Sequence, residues 1–366
     1  MADAKEHWLA EILRWSPATR LEASQVLAAM LGLAGPILLG VATDHLRLGM
    51  AAAIGGLALD GTARGESLGR EASALTGALI SGCAAIWTGT SLVGSGSLII
   101  AVPAIAAVAG LLGGISRPLA RESTRFIRFT IIAANLSAPE IGPFGVTLLF
   151  FLGGAWTLGL SLLLRLVFAQ ARRVAQSAAA RPPRPSAGPR LRRWLGSLST
   201  LPGWQYPLRI ALCLAVAEAV AWIWPGPHGQ WIALTVAIVL DRRPATPPTR
   251  LVQRALGTVL GVILASLLLI RTPSILIVTI AIAALAAMRP VLRAGNYTAY
   301  AAIMTPLIVL LVDFGETPSA EILLDRLLAT IAGCLIALLF GYLPWLRVLS
   351  LQSGQPTPNP GGGAPR

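Results

Sequence analysis

The sequence predicts an all-α, polytopic membrane protein of about twelve transmembrane helices, built as two parallel six-helix repeats, and three observations predict it. The chain of 366 residues is 55% apolar and only 12% charged, more apolar surface than one water-soluble domain keeps dry. Its apolar residues fall into runs separated by Gly, Pro and Arg clusters, most of them close to the about 20 residues that cross a bilayer as a helix. The basic residues collect in every second gap, the pattern that retention of Lys and Arg on the cytoplasmic side produces.

Taken in order, residues 1–20 form an amphipathic cytoplasmic N-terminus. Trp8, Leu9, Ile12, Leu13 and Trp15 recur at helical spacing ahead of Pro17, as in a helix lying on the membrane surface. The stretch lacks the basic start, short apolar core and small-residue cleavage site of a secretory signal. The first repeat, 21–168, holds six runs: Leu21 to Thr43, Leu48 to Leu59, Ala72 to Ser91, Ser97 to Ile115, Phe126 to Leu136 and Val146 to Phe168. Residues 169–207, rich in Arg, Pro, Ala and Ser, read as a basic cytoplasmic linker too polar to cross or to pack. The second repeat, 208–348, holds six more: Leu208 to Trp224, Trp231 to Leu240, Leu251 to Ile270, Ser274 to Met288, Tyr297 to Val312 and Ile322 to Leu346. The tail, 349–366, has the Gly, Pro and Gln content of a disordered segment.

With both termini inside, all of the 29 Lys and Arg except Arg47, Arg271 and Arg326 fall on the cytoplasmic side. An odd number of crossings in either half would destroy that segregation. The halves also resemble each other. MAAAIGGLALD, ending at Asp60, matches WIALTVAIVLD, ending at Asp241, and REASALTG (Arg70 to Gly77) matches RALGTVLG (Arg254 to Gly261). Two such halves enter the membrane in the same sense, related by an axis along its normal, with a substrate path where they meet. The second run of each half has about a dozen apolar residues, which at about 1.5 Å each cover about 18 Å of a layer about 30 Å thick. Either polar flanks complete the crossing, or these helices end in a water-filled funnel with Asp60 and Asp241 at its neck.

Several function classes are excluded. The net charge of +13 is spread between apolar runs and forms no nucleic-acid-binding face. Cys83, Cys213 and Cys334, like the three histidines, are too scattered for a metal site, a disulfide framework or a catalytic triad. No Walker-type loop is present, so the sequence predicts neither an enzyme nor a cofactor.

QWIALTVAIVL, TRLVQRALGTVLGVILA, NYTAYAAIMTPLIVLL and DRLLATIAGCLIALL together resemble the FUSC superfamily, the fusaric acid resistance proteins and related aromatic carboxylic acid exporters. The similarity is best over Leu208 to Leu346. It implies an inner-membrane transporter that exports small organic anions, with a periplasmic adaptor protein as a partner beside the lipid bilayer; the charge bias keeps both termini cytoplasmic, and with nothing resembling a nucleotide site proton exchange is the energy source. An organic-anion channel and a non-transporting membrane scaffold are the alternatives.

Against that background, Glu218 is a mid-span carboxylate that must be paired, neutralised or wetted, and with Asp60 and Asp241 is a candidate for proton coupling or gating. Arg326 breaks the inside bias and heads an apolar run, which makes it a candidate partner for a substrate carboxylate. Arg209 and Arg254, at the inner ends of their runs, are further candidates, as are Asn296, Tyr297 and Thr305 on the eleventh run. Gly257 and Gly261, and the small-residue pair Ser73 and Gly77, have the spacing that lets helices approach closely. Trp87, Trp222, Trp224 and Trp231 read as an interfacial belt.

Overall fold

The computed structural model describes residues 15, 22–62, 67–94, 96–134, 141–169, 187–224, 229–242, 249–269, 274–312 and 320–345. Among them there are helices and turns and no strand. The first half contributes α1 (Ala23–Ala42), α2 (Leu46–Ala58), α3 (Leu68–Ser91), α4 (Leu98–Leu112), α5 (Arg117–Ala134) and α6 (Gly142–Ala169). A short helix, α7 (Ala187–Ser197), follows, and then α8 (Leu201–Ile223), α9 (Gln230–Val239), α10 (Thr249–Leu269), α11 (Ile275–Gly295), α12 (Tyr297–Val312) and α13 (Ala320–Ile336). The last continues into a π-helical turn, Ala337–Tyr342.

Each of the twelve apolar runs overlaps a helix among the described residues. Seven of these, α1, α3, α6, α8, α10, α11 and α13 with its extension, are long and apolar enough to cross a membrane, and the chain is a multi-pass membrane protein. The remaining five fall short for different reasons: α2, α4, α9 and α12 are 10 to 16 residues long, whereas α5 carries four arginines and a glutamate along 18 residues. Outward faces are apolar, as a lipid-facing surface requires: Leu39, Ile80, Ile100, Phe144 and Trp222 are each more than 60% exposed.

Packing repeats from half to half. α3 runs against α5 as α10 runs against α12, α2 against α6 as α9 against α13, and α1 against α2 as α8 against α9. Between halves, α4 packs on α8 and α11 on α1, while α5 packs on α9 and α12 on α2. Two buried clusters therefore join the halves. One combines Val102, Ala106 and Ile131 with Ile210, Leu214 and Val236; the other combines Leu33, Ile37 and Met50 with Ile282, Ala286 and Leu307. Neither half buries its apolar faces without the other.

The basic linker differs from expectation. Residues 170–186 lie outside the described residues, but 187–197 are helical, and α8 begins at Leu201 rather than near 208. Polarity did not prevent packing because Trp194 supplies an apolar ring and a donor: its indole N–H bonds the Leu111 carbonyl at the end of α4, 3.0 Å away. Its counterpart is Trp15, the described residue of the N-terminal stretch, whose ring lies against Gly295 at the end of α11. The tail 349–366 lies outside the described residues.

Candidate functional site

Helices α2 and α9, 13 and 10 residues long, are shorter than the hydrocarbon layer by themselves, and the residues after them turn towards the opposite half. Asp60 stands in the turn beyond α2. One carboxylate oxygen, Oδ2, accepts a hydrogen bond from the Tyr300 hydroxyl of α12 at 3.0 Å and lies 3.4 Å from Arg293 Nη1 of α11. Arg289 lies one turn earlier on the same face of α11 and is 2% exposed. Burial pushes the Asp60 carboxyl up, but the guanidinium groups of Arg289 and Arg293 and the Tyr300 hydroxyl outweigh it and hold the group below its ordinary value. Asp60 is therefore ionised at physiological pH. Gly61 has a left-handed φ of +67°, and a Cβ there would overlap the Arg293 guanidinium, so only glycine lets the arginine close on the turn.

A cavity of about 480 Å³ opens beside this cluster, within the size range of small-molecule sites. Gln25, Ala28 and Ala29 of α1 form one wall, Leu75 and Glu71 of α3 another, and Arg289, Pro290 and Arg293 a third, with Asp60 between them. Glu71 is ion-paired with Arg165 of α6. Nε and Nη1 of Arg289 have no hydrogen-bond partner among the described residues.

The equivalent junction in the second half is built from a base. Arg242, just beyond α9, donates to the Gly110 carbonyl of α4 at 3.2 Å and to Ser123 Oγ of α5 at 3.0 Å, and lies over the Tyr206 ring at 4.3 Å. A Cβ at Gly113 would overlap its guanidinium. Arg128 of α5 donates to the Ala237 and Ile238 carbonyls at the end of α9, at 3.3 and 3.4 Å. It also lies within electrostatic reach of Tyr206, Tyr297, Tyr300 and Arg293, which ties the two junctions into one charged layer.

The residues singled out from sequence distribute as follows. Asp60 and Asp241 both reach this layer. Asp241 lies 3.4 Å from Arg250 Nη1, and its backbone N–H donates to the Tyr342 hydroxyl at 3.1 Å. Arg209 is fully buried and spends two of its nitrogens on structure: Nε on the Gly341 carbonyl at 2.6 Å, inside the π-helical turn, and Nη1 on the Asp241 carbonyl at 3.3 Å, while Nη2 has no hydrogen-bond partner among the described residues. Arg254 is 6% exposed on α10, with Nε lacking a hydrogen-bond partner among the described residues. Arg326, 2% exposed, lies over the Trp231 ring at 3.8 Å, near the start of α9 and about 12 Å along its axis from the layer. Trp231 is thus buried rather than at a lipid interface, while Trp222, Trp224 and Trp87 are exposed.

Asn296 caps α12, its Oδ1 accepting the Ala299 N–H at 3.0 Å. Tyr297 stands 6.2 Å from the Tyr300 ring, and Thr305, 1% exposed, returns its hydroxyl to the Ala301 carbonyl. A Cβ at Gly257 would meet Ala301 and the Thr298 carbonyl, and one at Gly261 would meet Ala302 and Thr305, so both glycines allow α10 to approach α12. Ser73 is exposed, and a Cβ at Gly77 would meet nothing within 4 Å; in the first half Gly82 and Gly89 face neighbouring helices instead. Glu218, 9% exposed, makes no hydrogen bond or ion pair with the described residues.

Arg128, Arg242, Arg289, Arg293 and Tyr300 had not been singled out. Each arginine reads in the sequence as one more inward-retained charge. The available signal was the pair Arg289 and Arg293 at i, i+4 within a long apolar run, one helical face carrying two charges into the membrane region.

Residues 212–340, from within α8 to the π-helical turn, match the family model of fusaric acid resistance protein-like proteins. No curated protein and no solved structure gives a significant match. The resemblance read from the sequence holds over that stretch, and it points to a membrane transporter of the efflux type.

Proposed function

We propose, taking that family match as the premise, that the protein exports small organic anions, aromatic carboxylic acids among them, across a bacterial inner membrane. In this reading all twelve helices cross the bilayer as two parallel six-helix repeats, with both termini and the charged layer on the cytoplasmic side. The repetition of packing between halves supports the architecture. The gathering of Arg128, Arg242, Arg289 and Arg293 where the halves meet carries the functional reading. Guanidinium groups at a desolvated junction attract and orient carboxylates, and a junction between repeats is where alternating access places its substrate.

Proton exchange supplies the driving force, and Glu218 is the group assigned to it. It is a mid-helix carboxylate without a partner among the described residues, the condition under which a side chain loads and releases a proton. Asp60, held ionised by two arginines, acts instead as a gate. Protein reconstituted into liposomes should drive radiolabelled benzoate out against its gradient when a proton gradient is imposed. Glu218→Gln should retain benzoate exchange and lose the response to the gradient. Currents that reverse at the anion's equilibrium potential, without uphill flux, would replace the exporter with a channel.

A further inference from the structure

Among the described residues, the cavity beside Asp60 has one positive charge more than its own side chains neutralise. Glu71 in its wall is ion-paired with Arg165, which leaves Asp60 facing two guanidinium groups. Arg293 stands 3.4 Å from the Asp60 carboxylate. Arg289 is 2% exposed, lines the cavity, and keeps Nε and Nη1 without a hydrogen-bond partner among the described residues. A buried guanidinium in that condition is unfavourable, and an anion in the cavity relieves it by supplying the missing acceptors. Elsewhere the wall mixes small apolar residues, Ala28, Ala29 and Pro290 among them, with the polar side chains of Gln25, Thr157 and Ser161, and no aromatic ring lines it.

We propose that this cavity binds a single monocarboxylate with a compact body, anchored on Arg289, and that the Asp60 carboxylate is a tethered competitor for the same positive charge. The proposal rests on the organic-anion reading and narrows it. Asp60 lines the cavity beside Arg289 and is itself held there by the Tyr300 hydroxyl at 3.0 Å and the Arg293 guanidinium at 3.4 Å. Because it is tethered, it acts at high effective concentration, and the ligand must displace it or share the two arginines. A second negative charge on the ligand would find no partner, so dicarboxylates are disfavoured.

The test is equilibrium binding of radiolabelled benzoate to the full chain in lipid nanodiscs, with phthalate as competitor. Asp60→Asn should bind benzoate about tenfold more tightly, since the competitor is gone. Arg289→Gln should bind it at least about tenfold more weakly. Phthalate should compete less well than benzoate. A gain of affinity cannot come from misfolding, so Asp60→Asn decides the matter even where Arg289→Gln fails to elute as a single species. Unchanged or weaker binding in Asp60→Asn, full affinity in a monodisperse Arg289→Gln, or equal competition by phthalate each overturns the proposal. Export in liposomes is scored separately. Flux with variant affinities unchanged removes this site and leaves the transporter, whereas the predicted affinities without flux keep the site and remove the transporter.

Discussion

The two junctions between the halves occupy equivalent places and use opposite chemistry. In the first, the residue beyond the short helix is an acid, Asp60, which meets a guanidinium and a phenol on α11 and α12. In the second the matching acid, Asp241, pairs with Arg250, and it is the next residue, the base Arg242, that reaches the other half and meets a carbonyl and a hydroxyl on α4 and α5. The guanidinium groups of the second junction, those of Arg128, Arg209 and Arg242, donate mainly to backbone carbonyls. Carbonyls cannot leave, and such a junction is a fixed wall. The arginines of the first face a side chain and a cavity, both of which can exchange. The packing thus repeats between the halves while the guanidinium groups of one junction are held by backbone and those of the other face a cavity.

The largest expected effect separates two arginines that are equally buried. Arg209→Met strands the Gly341 and Asp241 carbonyls, and should cost about 3 kcal/mol, since a charged donor is lost and buried acceptors are left unpaired. Arg289→Met strands only Asp60, which keeps Arg293 and Tyr300, and should change stability by less than about 1 kcal/mol. Thermal unfolding in detergent should show a large fall in Tm for the first and little for the second. Equal losses would mean that Arg289 is as structural as Arg209, and the contrast between the junctions would disappear.

A smaller effect distinguishes the two glycines against which the arginines lie. Gly61→Ala adds a Cβ in a left-handed turn and overlaps Arg293, so backbone strain of about 1–2 kcal/mol adds to displacement of the arginine. Gly113 has ordinary helical backbone, φ −62°, and Gly113→Ala meets chiefly the Arg242 guanidinium, which can shift at its flexible end, with Ser123 Cβ 3.0 Å away. The expected cost is about 1 kcal/mol or less. Gly61→Ala should also weaken the hold on Asp60 and so tighten benzoate binding, which Gly113→Ala should leave alone. The reverse ranking in Tm would place the strain at the wrong junction.

The architecture was far more legible than the site, for a physical reason. Helix position follows from runs of contiguous apolar residues, and every run from Leu21 onwards overlaps a helix among the described residues. The matching segments ending at Asp60 and Asp241 marked both junctions because a short second helix is a local property. Which charges meet there is not local: Asp60 and Tyr300 are 240 residues apart, and Arg128 and Ala237 are 109. Net charge bias assigns all these arginines the same meaning, although among the described residues Arg209 bonds two carbonyls and leaves only Nη2 unpartnered, whereas Arg289 leaves both Nε and Nη1 so. The choice of Arg209 over Arg289 as an anion ligand rested on helix-end position alone, and position does not reveal that a π-helical turn 132 residues later consumes Arg209.

The smallest expected effect compares the hydroxyls at the two junctions. Tyr300→Phe removes one hydrogen bond to the Asp60 carboxylate. Ser123→Ala removes one acceptor from Arg242. Each bond is worth about 1 kcal/mol, so Tm should fall slightly and by similar amounts. Transport should tell them apart. The ligand is anchored by Arg289, for which no contact with Tyr300 is seen, so weakening the hold on Asp60 handicaps only the competitor, and the KM for benzoate export should drop about threefold. Ser123→Ala alters a wall that no ligand displaces, and its KM should stay at the parent value. If both substitutions move KM alike, the two junctions exchange with the ligand equally, and the division into a fixed wall and an open one is wrong.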